Sequence, residues 1–184
     1  MGMEASPQLW VFAYGSLMWN PGFEPADQGL ARLDGYTRSF CMWSIHHRGT
    51  QADPGLVLAL DADASGTCDG MAFQLPRKGH DAILADLRAR ELISSAYEEK
   101  VVPLTLRDGR RVEALAYVIA RDHVQYCGGL SLARQAEVIA QAVGGRGPNT
   151  EYLYNTAAHL KELGIEDPTL SDLAATVRRL AGDA

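Results

Sequence analysis

At 184 residues the chain is the size of one compact domain, and its net charge of −6 argues against holding a nucleic-acid backbone. Apolar residues make up 47% and charged residues 22%, the balance of an ordinary globular core with a wet surface. No uncharged stretch reaches the length of a membrane span, and no basic stripe with interleaved aromatics runs along the chain.

The opening MGMEASPQ has neither the basic start nor the apolar run of a signal peptide, so residues 1–8 read as a loose tail. Trp10 to Tyr14 reads as a short buried strand that runs straight into Gly15-Ser16. Gly15 lets the backbone turn, or lets a ligand approach where a Cβ would block it. Leu17 to Trp19 is apolar again, and Asn20-Pro21-Gly22 forces a loop. These residues leave two readings open: a plain strand and turn, or backbone donors held rigidly at a pocket mouth.

Leu33 to Ser44 is β-rich, with Arg38 suited to a wet face. His46 to Gly55 is a polar loop. Its adjacent histidines point to opposite sides and have no third ligand at a usual spacing, so no metal site is expected. Arg48 in that loop either belongs to the surface or pairs in a bidentate way with a substrate carboxylate. Leu56 to Leu60 and Cys68 to Leu75 read as two strands joined by a turn at Asp61 to Gly66. That turn lacks the Glu and the flanking helices of a calcium loop. Cys41, Cys68 and Cys127 are odd in number, far apart and without a Cys-x-x-Cys pair, which suits reduced thiols in a cytoplasmic setting.

The spacing predicts a helix over Lys78 to Ile93 with Ile83, Leu84 and Leu87 on one face. Four residues beyond Leu87 that face carries Glu91. Burial and the negative end of the helix both disfavour its charge. From the residues alone Glu91 is either salt-bridged, with Arg90 the nearest partner, or an acid kept near neutrality for proton transfer. Val101 to Ile119 reads as a hairpin turning at Asp108-Gly109, with Glu98 and Glu99 a solvated entry or, alternatively, catalytic. Arg121 to Gly129 is a loop. Ser131 caps a helix through Val143 with Leu132, Ala136, Ile139 and Val143 on one face. Gly144 to Pro148 is a glycine-rich link without the pattern of a nucleotide cradle. Asn149 reads as the N-cap of a helix through Leu163 with Leu153, Ala157 and Leu160 inward, and a last helix from about Thr169 turns Leu170, Leu173, Ala174, Val177 and Leu180 inward.

Several of these stretches resemble one family. Val11-Phe12-Ala13-Tyr14-Gly15-Ser16-Leu17 is similar to the V-F-G-Y-G-S-L signature of the ChaC family of γ-glutamylcyclotransferases, departing by one methyl at Ala13. The likeness recurs, in family order, at Asp34-Gly35-Tyr36, His47-Arg48-Gly49, Arg90-Glu91 with Tyr97 beyond, and Gly147 to Leu153. The spacing from Glu91 to Tyr97 is longer than in some animal members.

The resemblance implies a single α+β domain over residues 1–184, a small mixed β-barrel with surrounding helices. It implies cleavage of glutathione to 5-oxoproline and Cys-Gly by attack of the glutamyl α-amine on the γ-carbonyl, with Glu91 as general acid and base. Val11, Phe12, Ala13, Tyr14, Gly15, Ser16 and Leu17, with Arg48 and Tyr97, are the implied substrate-binding residues. The substrate is a small molecule, and no metal, cofactor, nucleic acid or membrane is called for. Two alternatives stand beside this one. The first is a cyclotransferase for γ-glutamyl amines or other γ-glutamyl peptides. The second is a non-catalytic γ-glutamyl-binding regulator linked to cation transport.

Overall fold

The computed structural model describes residues Gln8–Leu92 and Ser94–Asp183. Most of the expected tail, residues 1–7, and Ile93 at the expected end of the first helix lie outside them. Two compact units are present, and each is built from two separate stretches of chain.

The first unit holds the chain up to Thr37 together with Leu60–Ala120. It contains β1 (Trp10–Ala13), a 3-10 turn (Ser16–Met18), the start of β2 (Asp27–Ser44), most of β3 (Gly55–Gln74), α1 (His80–Glu91), β4 (Tyr97–Leu106) and β5 (Arg111–Ile119). The strands close a barrel in the order β1-β3-β2-β4-β5, and β5 returns parallel to β1 through Trp10↔Ala114 and Val11↔Leu115. Alternate residues fill the interior: Trp10 and Phe12, Ala31 and Leu33, Val102, Leu104 and Leu106, then Ala114, Ala116 and Val118. This period of two is the signature of a strand with one face in a core, and the interior is packed side chains rather than a channel. Gly70 permits the close approach of β3 to β1. A Cβ there would meet the Ala13 carbonyl at 2.2 Å and the Phe12 ring at 2.9 Å.

The turn expected at Asp61 to Gly66 is absent, because β3 runs through it. Gly66 has no positive φ to reverse the chain. Within that stretch Asp63 meets a partner on β2, accepting from Thr37 Oγ1 at 3.0 Å, and beyond it Arg32 binds Asp69 at 2.8 Å. The Asp108-Gly109 hairpin lies where expected, with Gly109 at φ +94°.

The second unit holds Arg38–Ala59 and the chain from Arg121 onward. Here α2 (Leu132–Gln141) is capped by Ser131, whose Oγ accepts from the Arg134 N–H. The expected link over Gly144 to Pro148 is a minimal hairpin, β6 (Val143–Gly144) and β7 (Gly147–Pro148). Then come α3 (Asn149–Glu162) and α4 (Pro168–Ala181). Ala136, Ile139, Leu153, Leu160, Leu170, Leu173, Ala174 and Val177 are buried as their spacing predicts. Leu132, Val143 and Leu180 are not, at 45%, 56% and 53% exposed. They sit at helix ends, and Ala142 at ψ 140° has already left the helix before Val143.

Two polar residues depart from expectation. Arg38 is buried, not on a wet face, and its Nε donates to Asp167 at 3.1 Å. Asp167 also caps α4 by accepting from the Leu170 N–H at 3.0 Å. Asn149 is not an N-cap, since Pro148 holds that place. Its buried side chain accepts from the Leu56 N–H and donates to the Leu56 carbonyl, both at 2.8 Å. The amide therefore stands beside β3 as the peptide of a further strand would.

Candidate active site

Val11, Phe12 and Ala13 are buried in β1, with Phe12 inside the barrel core. Their contribution is a rigid platform for the turn that follows. The Gly15 carbonyl accepts from the Met18 N–H at 2.9 Å, and the Ser16 carbonyl accepts from the Asn20 N–H at 2.9 Å. Leu17 is buried and anchors the turn, whereas Ser16 is exposed. The first N–H groups of such a helical turn have no acceptor within it. Gly15 is buried, yet a Cβ on it would meet nothing within 4 Å.

The helix α1 delivers Glu91 to this turn. Ile83 and Leu84 are half-buried and Leu87 is buried, so the stripe that ends at Glu91 faces inward as its spacing predicts. The Glu91 side chain is 17% exposed, and Arg90 Nε lies 3.6 Å from its Oε1. The same guanidinium reaches the turn, donating to the Asn20 carbonyl at 2.8 Å and to Ser16 Oγ at 3.2 Å. One arginine thus spans the carboxyl and the Gly-Ser bend. Burial raises the Glu91 pKa above the usual carboxylate value of 4.5, and Arg90 opposes that rise without cancelling it.

Behind Glu91 stands a group that the sequence concealed. Glu99 and Tyr117 are direct cross-strand partners on β4 and β5. Tyr117 donates to Glu99 Oε2 at 3.1 Å, and Arg88, one helical turn before Glu91, grips the same carboxylate at 2.8 and 2.9 Å. Arg88 chiefly, with the Tyr117 hydroxyl adding to it, holds the Glu99 pKa below 4.5 against the effect of burial. Glu99 is therefore a paired, half-buried anion and not a solvated strand entry. Burial, with Glu99 and Glu91 nearby, pushes the Tyr117 hydroxyl well above its ordinary range, so it remains a donor. Tyr117→Phe should cost about 1 kcal/mol in urea denaturation, and Glu99→Ala more, because it leaves the buried Tyr117 hydroxyl without its acceptor and also removes the Arg88 ion pair.

Tyr97 opens β4 opposite Ile119 and is half-buried. Arg48 belongs to the second unit, where Nη1 donates to the Pro148 carbonyl at 3.1 Å, stands 3.9 Å from Glu151 and overlies the Tyr152 ring. That unit also contains a cavity of about 750 Å³ lined from α3 and α4, including Lys161, Glu166, Asp167 and Arg178 but none of the residues above. Among the described residues no group of three His, Cys, Asp or Glu is placed to hold a metal ion, and no helix is long and apolar enough to cross a membrane.

Known proteins resemble this chain in fold and in sequence. A solved yeast structure, a γ-glutamyl cyclotransferase described as specific to glutathione, shares the fold with a TM-score of 0.83 over 95% of this chain and 97% of its own, at 23% identity. The chain is 35% identical over 175 residues to the glutathione-specific γ-glutamylcyclotransferase of Escherichia coli, covering 95% of this chain and 75% of the relative. It is 34% identical to the glutathione-specific γ-glutamylcyclotransferase of Schizosaccharomyces pombe, covering 93% of each. The family model described as ChaC-like protein matches residues 9–180, and with that match the chain belongs to the ChaC-like family.

Proposed function

We propose that this chain is a glutathione-specific γ-glutamylcyclotransferase in which Glu91 is the general acid and base. The observation that carries the assignment of Glu91 is the burial of its carboxyl at the end of α1, one guanidinium away from Ser16. The substrate comes from the names of the relatives. A single ChaC-like domain, working in the cytoplasm, is part of the same proposal.

In this reading the glutamyl amine and the γ-carbonyl already belong to one molecule, so the site has to fold them into attack geometry. The Tyr14 to Leu17 turn grips the γ-glutamyl head through backbone groups, and one N–H steadies the oxyanion. In its ionised form Glu91 removes a proton from the α-ammonium. The amine adds to the γ-carbonyl, the bond from that carbon to the cysteinyl nitrogen breaks as Glu91 returns the proton to the departing nitrogen, and the second proton of the new ring nitrogen passes to the released Cys-Gly amine. The products are 5-oxoproline and Cys-Gly, and no water is consumed. Tyr97 is the remaining proposed substrate contact of the first unit, and Arg48 is a separate substrate-binding proposal in the second. Arg48 has five N–H donors and gives one to Pro148.

The direct test is incubation of the purified protein with glutathione and detection of both products. Turnover of γ-glutamyl-alanine but not of glutathione would move the assignment to a broader γ-glutamyl cyclotransferase, and binding without turnover would move it to a regulator. A second test concerns pH. Glu91 must be ionised to act, so kcat/KM falls on the acid side through a pKa above 4.5. Arg90→Ala removes a cation that lowers that pKa. The acid limb of the Arg90→Ala profile should therefore lie at higher pH than that of the parent, and an unshifted limb would separate Arg90 from the titrating group.

A further inference from the structure

Gln125 to Cys127 lies along Cys41 to Trp43. The Trp43 N–H donates to the Gln125 carbonyl and the Cys127 N–H to the Cys41 carbonyl, both at 2.8 Å, and Met42 and Tyr126 form an antiparallel bridge between them. Gln125 Nε2 adds a bond to the Trp43 carbonyl at 2.9 Å. In this register Cys41 and Cys127 are directly opposed, with side chains on one face. Opposed residues of an antiparallel pair stand about 4.5–5.5 Å apart at Cα, inside the span of about 4.4–6.8 Å that a disulfide bridges. Neither cysteine is in a disulfide.

We propose that Cys41 and Cys127 are a thiol-oxidation site that closes to a cross-strand disulfide on exposure to a small-molecule disulfide. Cys41 is buried and Cys127 half-buried, so the incoming reagent meets Cys127 first. The Cys127 thiolate attacks one sulfur of the reagent, forming a mixed disulfide and releasing one small thiolate. The Cys41 thiolate then attacks Cys127 Sγ and expels the second. Two protein thiols are oxidised, one reagent disulfide is reduced to two thiols, and the two protons pass to the departing sulfurs. Burial, and then the neighbouring Cys41, push the Cys127 thiol up to about 12, so the reaction is slow and the dithiol form persists until oxidant is supplied. Cys68 sits in the barrel core and takes no part.

The experiment treats the full chain under native conditions with excess hydroxyethyl disulfide, which has no γ-glutamyl group and so does not depend on the proposed activity. The reaction is trapped by alkylation and read by intact mass and peptide mapping. The expected product has lost two of its three thiols, is lighter by two hydrogens, and yields one linked peptide pair containing Cys41 and Cys127. Its urea midpoint is higher and returns on reduction. Cys127→Ser abolishes the linkage and Cys68→Ser leaves it intact. A mixed disulfide that persists at Cys127 without closing, a link through Cys68, or three thiols that all remain alkylatable would each overturn the proposal.

Discussion

Replacing Glu91 with glutamine is expected to lower glutathione turnover by roughly 10²–10⁴-fold, the usual weight of one acid–base group, while raising the melting temperature at pH 7. The two effects share one cause. Glutamine keeps the shape of the side chain and removes the charge, so proton transfer is lost but the cost of a buried anion is removed as well. In the folded chain burial lifts the Glu91 pKa above 4.5, so the native state binds the proton more tightly than the unfolded chain does. Stability therefore falls as pH rises from about 4.5 through the raised value, and stays lower above it. Glu91→Gln should be flat over that window at this position. Glu99 carries the opposite sign, because its depressed pKa contributes stability that is lost only as pH falls below 4.5. Release of 5-oxoproline measures the first effect, and thermal denaturation between pH 5 and 8 the second. Unchanged turnover would remove Glu91 from the reaction, and a lower melting temperature in the variant would mean that the Arg90 contact outweighs desolvation.

Asn149→Ala should be among the most destabilising single changes in the second unit, by roughly 2–5 kcal/mol in denaturant unfolding. Asn149 is wholly buried, and its amide satisfies both the N–H and the carbonyl of Leu56. Alanine strands two peptide groups in a dry environment at once. Asn149→Asp separates the two bonds. A carboxylate still accepts from the Leu56 N–H but faces the Leu56 carbonyl with charge where a donor stood. A protonated carboxyl restores the donor, so this variant should gain stability relative to the parent and to Asn149→Ala as pH falls through the raised pKa of the new acid. Urea midpoints of both variants at neutral and mildly acidic pH give the measurement. Parent-like stability of Asn149→Ala at both would show that water replaces the amide.

The parts of the site legible in the sequence were those written in local pattern. The aromatic run Trp10 to Ala13 specified a buried strand, and the 3.6-residue spacing through Ile83, Leu84 and Leu87 placed Glu91 on an inward face. What escaped depends on partners far along the chain. Glu99 looked solvated because its neighbours are Glu98 and Lys100, whereas Arg88 and Tyr117 decide its state. Asn149 follows proline and precedes a helix, the usual place of a cap, but Leu56 claims its amide. The run at Asp61 to Gly66 has turn composition, yet Thr37 on β2 bonds Asp63 within it and Arg32 bonds Asp69 beyond it, along one continuous strand. Val143 and Leu180 keep the helical period but fall where the helices end, so no facing layer covers them.

The interleaving of the two units has a consequence for biosynthesis. Every strand of the barrel has been translated once Ala120 emerges, whereas Arg38–Ala59 must wait for the final third of the chain before its own neighbours exist. Phe40, Leu56 and Leu58, buried in the finished protein, remain without those neighbours on the nascent polypeptide for that interval. At roughly 5–20 residues per second the exposure lasts for seconds. Holdase chaperones on the ribosome have their natural target there, and truncation before α4 should leave a barrel carrying an adhesive, half-clothed extension.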